Sequence, residues 1–132
     1  MSRILIVDDD ENIRFVFKKI LTAAGHEVVS AAHMIDARAI LSANEFDVAL
    51  IDRILSDGQN GFDLVKYIKA AQPFCEPILM SGYKTYRSAA EALRFDTLAY
   101  LAKPVKQDQL YHAVAEAADK SKAKKKSEEL NP

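Results

Sequence analysis

A chain of 132 residues, 49% hydrophobic and 28% charged, can build one sizeable core but rarely two, and its composition excludes a disordered or membrane-spanning polypeptide. No apolar run approaches a transmembrane helix, and Ile4–Val7 before three aspartates is too short for a secretory signal, so the cytoplasm is the expected compartment. The net charge of −1 hides five lysines and two glutamates in the last thirteen residues, leaving residues 1–119 at about −4; the folded part lacks the basic face that direct nucleic-acid binding needs.

The first strand is Ile4–Val7. Ile13, Val16, Phe17, Ile20 and Leu21 then recur at spacings of three and four, predicting a helix that Gly25 stops. A weaker strand, Glu27–Ala31, leads to a second helix with Ala37, Ile40 and Leu41 on one side and Asn44 at its end. Val48–Ile51 is the third strand, followed by a helix over Phe62–Ala71 with Leu64, Val65 and Ile68 inward and Pro73 as its stop. The lone Cys75 cannot form an internal disulfide and reads as a plain loop thiol, and no Cys/His cluster has zinc-ligand spacing. Ile78–Met80 is the fourth strand, Tyr86–Phe95 an Ala-rich fourth helix, Leu98–Leu101 the fifth strand, and Gln107–Asp119 a fifth helix carrying Leu110, Val114 and Ala117. Residues 120–132 have almost no apolar content and read as a basic flexible tail or the start of a linker.

This (βα)5 order predicts an α/β fold in which a doubly wound five-stranded parallel sheet lies between two helical layers, a three-layer αβα sandwich. Function is then expected at the strands' C-terminal ends. Asp8, Asp9 and Asp10 follow the first strand, Asp52 ends the third, Ser81 ends the fourth, and Lys103-Pro104 follows the fifth; all converge on one edge. Carboxylates held together repel, which favours an oxygen-seeking divalent cation. Mg²⁺ suits one or two carboxylates completed by water and a substrate phosphate. Phosphoryl transfer needs a nucleophile, a cation and groups to hold the equatorial oxygens, and Asp52 is the best nucleophile in this set.

Taken together these motifs resemble the receiver domain of two-component response regulators over residues 3 to about 119: Ile4 to Arg14 the opening strand with its acidic pair, Leu50-Ile-Asp52 the acceptor strand, Met80-Ser81-Gly82 the hydroxyl switch, and Tyr100-Leu-Ala-Lys103-Pro104 the closing motif. The resemblance implies a flavodoxin-like fold. It also implies that Asp52 is phosphorylated, that Asp8, Asp9, Asp52 and the Ile54 backbone carbonyl hold Mg²⁺, with Mn²⁺ as a substitute, and that Lys103 pairs with the phosphoryl oxygens. Ser81 would move to bond the phosphoryl group and Tyr100 would turn inward, remodelling the face of helix four, strand five and helix five. Gly82 would keep access open, and Lys103-Pro104 would be a cis peptide. The implied donor is a histidine kinase or histidine phosphotransfer protein. The target is an unidentified downstream protein or effector domain, reached without membrane contact, and the chain is either free-standing or part of a longer protein. A homodimer could form through the remodelled face.

Some positions depart from the pattern. Ser56 stands where the family often has Pro, Gly61 lies one residue further from Asp52 than is common, and Asp96 replaces a frequent Gly after helix four, which would require a left-handed residue there. Ile54 and Tyr83 flank the implied water route, and neither can position an attacking water, so a long-lived phosphoaspartate is expected.

Each motif has a plainer reading alone. Asp favours helix N-caps, Ser81-Gly82 is a common turn dipeptide, Lys103-Pro104 an ordinary loop, Tyr100 a packing aromatic, and the lysine run a solubilising tail. His26, His33 and His112 lack ligand spacing and are expected to be solvated or packing residues. Two other functions compete with the phosphoacceptor, which is itself a switch and not a turnover enzyme. One is a haloacid-dehalogenase-like phosphatase with Asp8 as nucleophile and Asp10 as acid; the other is a receiver-like interaction module that no longer signals.

Overall fold

The computed structural model describes residues 1–55, 58–82 and 99–130. Five strands, β1 (Arg3–Val7), β2 (Glu27–Ala31), β3 (Val48–Asp52), β4 (Glu76–Ser81) and β5 (Ala99–Ala102), form one sheet in the order β2-β1-β3-β4-β5, every neighbouring pair parallel. That order is the flavodoxin-like form of the doubly wound sheet, with the direction of winding reversing between β1 and β3.

Alternation along the strands builds the three layers. Leu5, Val7, Ala49, Ile51 and Leu79 face one way, against Met34, Ala37 and Leu41 of α2 (Met34–Ala43) and Leu64, Val65 and Ile68 of α3 (Gly61–Ala71). Ile4, Ile6, Val48, Leu50, Ile78 and Met80 face the other way. They meet Phe17 and Leu21 of α1 (Glu11–Ala23) and Leu110, Val114, Ala117 and Ala118 of the C-terminal helix (Gln107–Leu130). Both faces are covered, so the strands read as unbroken apolar runs and not as alternating ones. Burying a side chain such as Ile51 or Leu50 contributes about 1.5–3 kcal/mol each.

Local signals set the helix ends. The Asp10 carboxylate accepts from the backbone N–H of Asn12 and Ile13, capping α1, and Asn60 accepts from Phe62 to cap α3. After α1 the chain turns through Gly25 at φ +95°, and Asn44 terminates α2. Gly61 has no room for a side chain, because a Cβ there would sit 2.3 Å from the Asp52 carbonyl oxygen. Its N–H donates to the Arg53 carbonyl, so α3 begins pressed against the end of β3.

The fifth strand begins at Ala99, and the C-terminal helix does not stop near Asp119 but continues through the lysine run to Leu130. The run is more than a solubilising tail. Lys124 pairs with the buried Glu76 at the start of β4, and Lys125 pairs with Asp47 just before β3. Cys75 does lie in a loop, but buried, and burial pushes its thiol up to about 12. The predicted helix Tyr86–Phe95, together with Ser56, Tyr83, Asp96 and Leu98, lies outside the described residues.

Candidate functional site

Because β1 and β3 are neighbours at the point where the winding reverses, the residues leaving their C-terminal ends share one crevice. Asp8 follows β1 and is fully buried; Asp52 is the last residue of β3 and 7% exposed; Asp9 is exposed beside them. One carboxylate oxygen from each lies within 4.8 Å of the others, close enough for a shared cation. Asp10 is not part of this group, since its carboxylate is used in capping α1.

The ammonium of Lys103 closes the cluster, at 2.9 Å from Asp8 Oδ2 and 3.2 Å from Asp52 Oδ2. Two further contacts hold Asp8: its Oδ1 accepts from the Asp10 N–H at 2.9 Å, and its own N–H donates to the Ala31 carbonyl. Lys103 follows β5, its N–H donating to the Ser81 carbonyl, and its peptide bond to Pro104 is cis.

Burial, and then the charge of Asp8, raises the Asp52 carboxyl above the ordinary carboxylate range, and Lys103 offsets this only in part. For Lys103, burial by itself would lower the pKa, but its hydrogen bond to Asp8 and the charges of Asp8 and Asp52 outweigh it and raise the value. The ammonium therefore stays protonated. The site brings three carboxylates, those of Asp8, Asp9 and Asp52, together with one ammonium, an arrangement with spare negative charge for a divalent ion of the oxygen-seeking kind.

Ser81 is buried at the end of β4, two residues beyond Leu79 on the same side of the sheet. Tyr100, the register partner of Leu79, packs on that side too, and its buried hydroxyl has no hydrogen-bond partner among the described residues. A Cβ built on Gly82 would meet nothing within 4 Å. Ile54, two residues after Asp52, is 53% exposed, and its backbone bridges to Asn60.

The histidines stay outside the site: His26 Nδ1 accepts from the Ser2 N–H, and His33 precedes α2 without capping it. Arg14, read only as part of the opening motif, reaches the crevice: its guanidinium donates to the Asp8 carbonyl oxygen at 2.7 Å. Its one local sign is a charge on a helical turn between the apolar Ile13 and Phe17.

The family model of the response regulator receiver domain matches residues 4–115. The response regulator protein PilR of Pseudomonas aeruginosa is 34% identical over 88% of this chain and 26% of its own length. The first curated relatives are covered over only 25% to 60% of their length. Among solved structures, a CheY-like response regulator receiver domain protein from Methanospirillum hungatei superposes with a TM-score of 0.86 at 31% identity, over 94% of this chain and 98% of that one. The response regulator TrrA of Thermotoga maritima, solved with Mg²⁺ and BeF, has a TM-score of 0.76 at 28% identity, over 89% of this chain and 99% of its own.

Proposed function

This chain belongs to the response regulator receiver domain family and is a receiver of two-component signalling, and we propose that within it Asp52 is the phosphoacceptor. The observation that carries the proposal is the meeting of Asp8, Asp9, Asp52 and Lys103 at the C-terminal ends of the neighbouring strands β1 and β3. An Asp52 oxygen attacks the phosphorus of a phosphohistidine, a P–O bond forms as the P–N bond breaks, and the imidazole leaves. Asp52 suits the role because burial and Asp8 make its carboxylate more basic than usual, while Lys103 holds a positive charge where the phosphoryl oxygens arrive.

Receiver domains bind Mg²⁺ at such an aspartate cluster, and this donor set fits a hard cation, being oxygen-only with carboxylates close together. Asp8, Asp9, Asp52 and the Ile54 carbonyl would hold Mg²⁺, with Mn²⁺ as a substitute. When bound, the ion supplies neutralisation of charge on the transferring group. Lys103, already on both buried carboxylates, would shift toward the new phosphoryl oxygens.

Ser81 would then bond the phosphoryl group and Tyr100, already packed against the core, would settle further inward as Ser81 moves, its buried hydroxyl, unpartnered among the described residues, being free to take a new bond. The altered surface would comprise β5, the C-terminal helix and the predicted Tyr86–Phe95 helix, and a homodimer or an effector domain would read it. The receiver unit would span residues 1–119, with the C-terminal helix continuing beyond it to Leu130. Histidine kinases and effector domains are the partners of receivers in this family. Nothing in the described residues is a helix long and apolar enough to cross a membrane.

The phosphatase alternative loses its acid, because Asp10 caps α1 and Asp8 is enclosed by Lys103 and the Asp10 N–H. Intact mass after incubation with acetyl phosphate and Mg²⁺ tests the assignment. One added phosphoryl group is expected, absent in Asp52→Asn and after chelation, and decaying slowly once donor is removed, faster in Ile54→Asn. No addition to the wild type would favour a receiver-like module that does not signal.

A further inference from the structure

Asp8 and Asp9 are consecutive, yet they differ in how they are held. The Asp8 carboxylate is enclosed by Lys103 and the Asp10 N–H, whereas Asp9 is exposed. Whether the Asp9 carboxylate faces the cluster depends on the peptide that joins it to Asp8. That unit is planar and rigid, so fixing one of its atoms in space strongly restricts the orientation of both residues about it.

The atom fixed is the Asp8 carbonyl oxygen, and the group that fixes it is the Arg14 guanidinium at 2.7 Å, reaching back from the first turns of α1. The contact is charge-assisted and so among the stronger hydrogen bonds available to a side chain. It also differs from that of Lys103. Lys103 occupies carboxylate oxygens of Asp8 and Asp52 and must give them up or share them when a cation or phosphoryl group arrives. Arg14 instead spends its hydrogen bond on the backbone carbonyl of Asp8 and takes no carboxylate oxygen in that contact. With α1 anchored by Asp10 capping at one end and Phe17 and Leu21 buried beyond it, the arginine projects from a fixed base.

We propose that Arg14 is a positioning residue for the metal pair: by pinning the peptide between Asp8 and Asp9 it orients both carboxylates toward one cation. The proposal rests on the reading of Asp8, Asp9 and Asp52 as a cation site. Partners that orient metal ligands through a single hydrogen bond typically change affinity by about 10–100-fold when removed.

The test is binding of Mn²⁺ alone to the whole chain, followed by electron paramagnetic resonance, for wild type, Arg14→Met and Arg14→Lys, with phosphorylation by acetyl phosphate measured across a range of Mg²⁺ concentrations. Arg14→Met is expected to weaken Mn²⁺ binding by about tenfold or more. It should raise the Mg²⁺ needed for half-maximal labelling by a similar factor while leaving the rate at saturating Mg²⁺ within about twofold, and amide exchange at Asp9 and Asp10 should quicken. Arg14→Lys, which keeps the charge, should recover part of the affinity. Unchanged Mn²⁺ affinity in Arg14→Met, or a fall in the saturated rate with affinity intact, would overturn the role of Arg14 alone. A wild type that binds no Mn²⁺ would overturn the cation-site reading and this inference with it.

Discussion

Strand β3 carries an aspartate at each end, and the two experience opposite electrostatics. Asp47, just before the strand, receives the Arg3 N–H at 2.8 Å and the Lys125 ammonium, and these outweigh burial to hold its carboxyl below the usual range. Asp52, the last residue of the strand, is driven above that range by burial and by Asp8, with Lys103 shared between the two carboxylates. The same pattern extends across each edge of the sheet. On the edge where strands begin, Glu76 meets Lys124, Glu27 meets Arg3, and Gln72 ties the ends of α2 and α3 to Phe46 through three hydrogen bonds. In the cluster where β1 and β3 end, three carboxylates meet one ammonium among the described residues. One edge is arranged for stability, the other kept short of a cation, which is the usual relation between a scaffold and the site it supports.

The largest expected effect lies on the compensated edge. Lys124→Met leaves the Glu76 carboxylate buried without its cation and should cost about 2 kcal/mol in urea unfolding, less than a fully buried pair because the lysine is half-exposed. A cost below about 0.5 kcal/mol would mean the helix beyond Asp119 adds little to the fold.

Next, neutralising the two aspartates of β3 should move stability in opposite directions. Asp47→Asn is expected to destabilise by about 1.5 kcal/mol at neutral pH, as two charge-assisted bonds weaken. The folded value of Asp47 lies below its unfolded one, so this contribution is present at neutral pH and fades as pH falls through the folded value. Asp52→Asn is expected to stabilise by about 1 kcal/mol at neutral pH, the gain that relief of a strained functional group commonly brings. Its folded value lies above the unfolded one, so wild type carries the full penalty above the folded value and loses it progressively as pH falls between the two, and the gain should vanish below about pH 4, where the carboxyl is protonated in both states. Thermal melts between neutral and acid pH check both signs, and two shifts of the same sign would end the comparison.

The smallest effect comes from filling the charge deficit. Mg²⁺ in roughly twofold excess over its dissociation constant should stabilise wild type by about 0.6 kcal/mol. That gain should be absent in Asp8→Asn, whereas the compensated edge should respond to added salt in general and not to Mg²⁺ in particular.

Much of this was legible along the chain. Apolar runs separated by helical periods are local patterns, and they specified the parallel sheet, its three layers and the edge where Asp8, Asp52, Ser81 and Lys103 meet, because in a doubly wound fold strand ends converge whatever the loop details. The cation cluster itself was less legible. By pattern alone the triplet Asp8-Asp9-Asp10 offers three equivalent carboxylates; the family resemblance selects Asp8 and Asp9 together with Asp52, and the folded chain supplies the physical reason, since Asp10 turns away to cap α1. The lysines after Asp119 carry no apolar stripe, so composition assigned them to a tail; their partners, Glu76 and Asp47, lie far upstream and are reached only once the C-terminal helix has packed along the sheet. Arg14 likewise looks like any charged residue on a helix until the end of β1 lies beneath it. Sequence determined the elements, because propensity and periodicity act within a turn or a strand. Tertiary structure decided the charge partners, because Coulomb attraction and hydrogen bonds depend on distance in space, and Lys103 comes within 2.9 Å of Asp8 across 95 residues of chain.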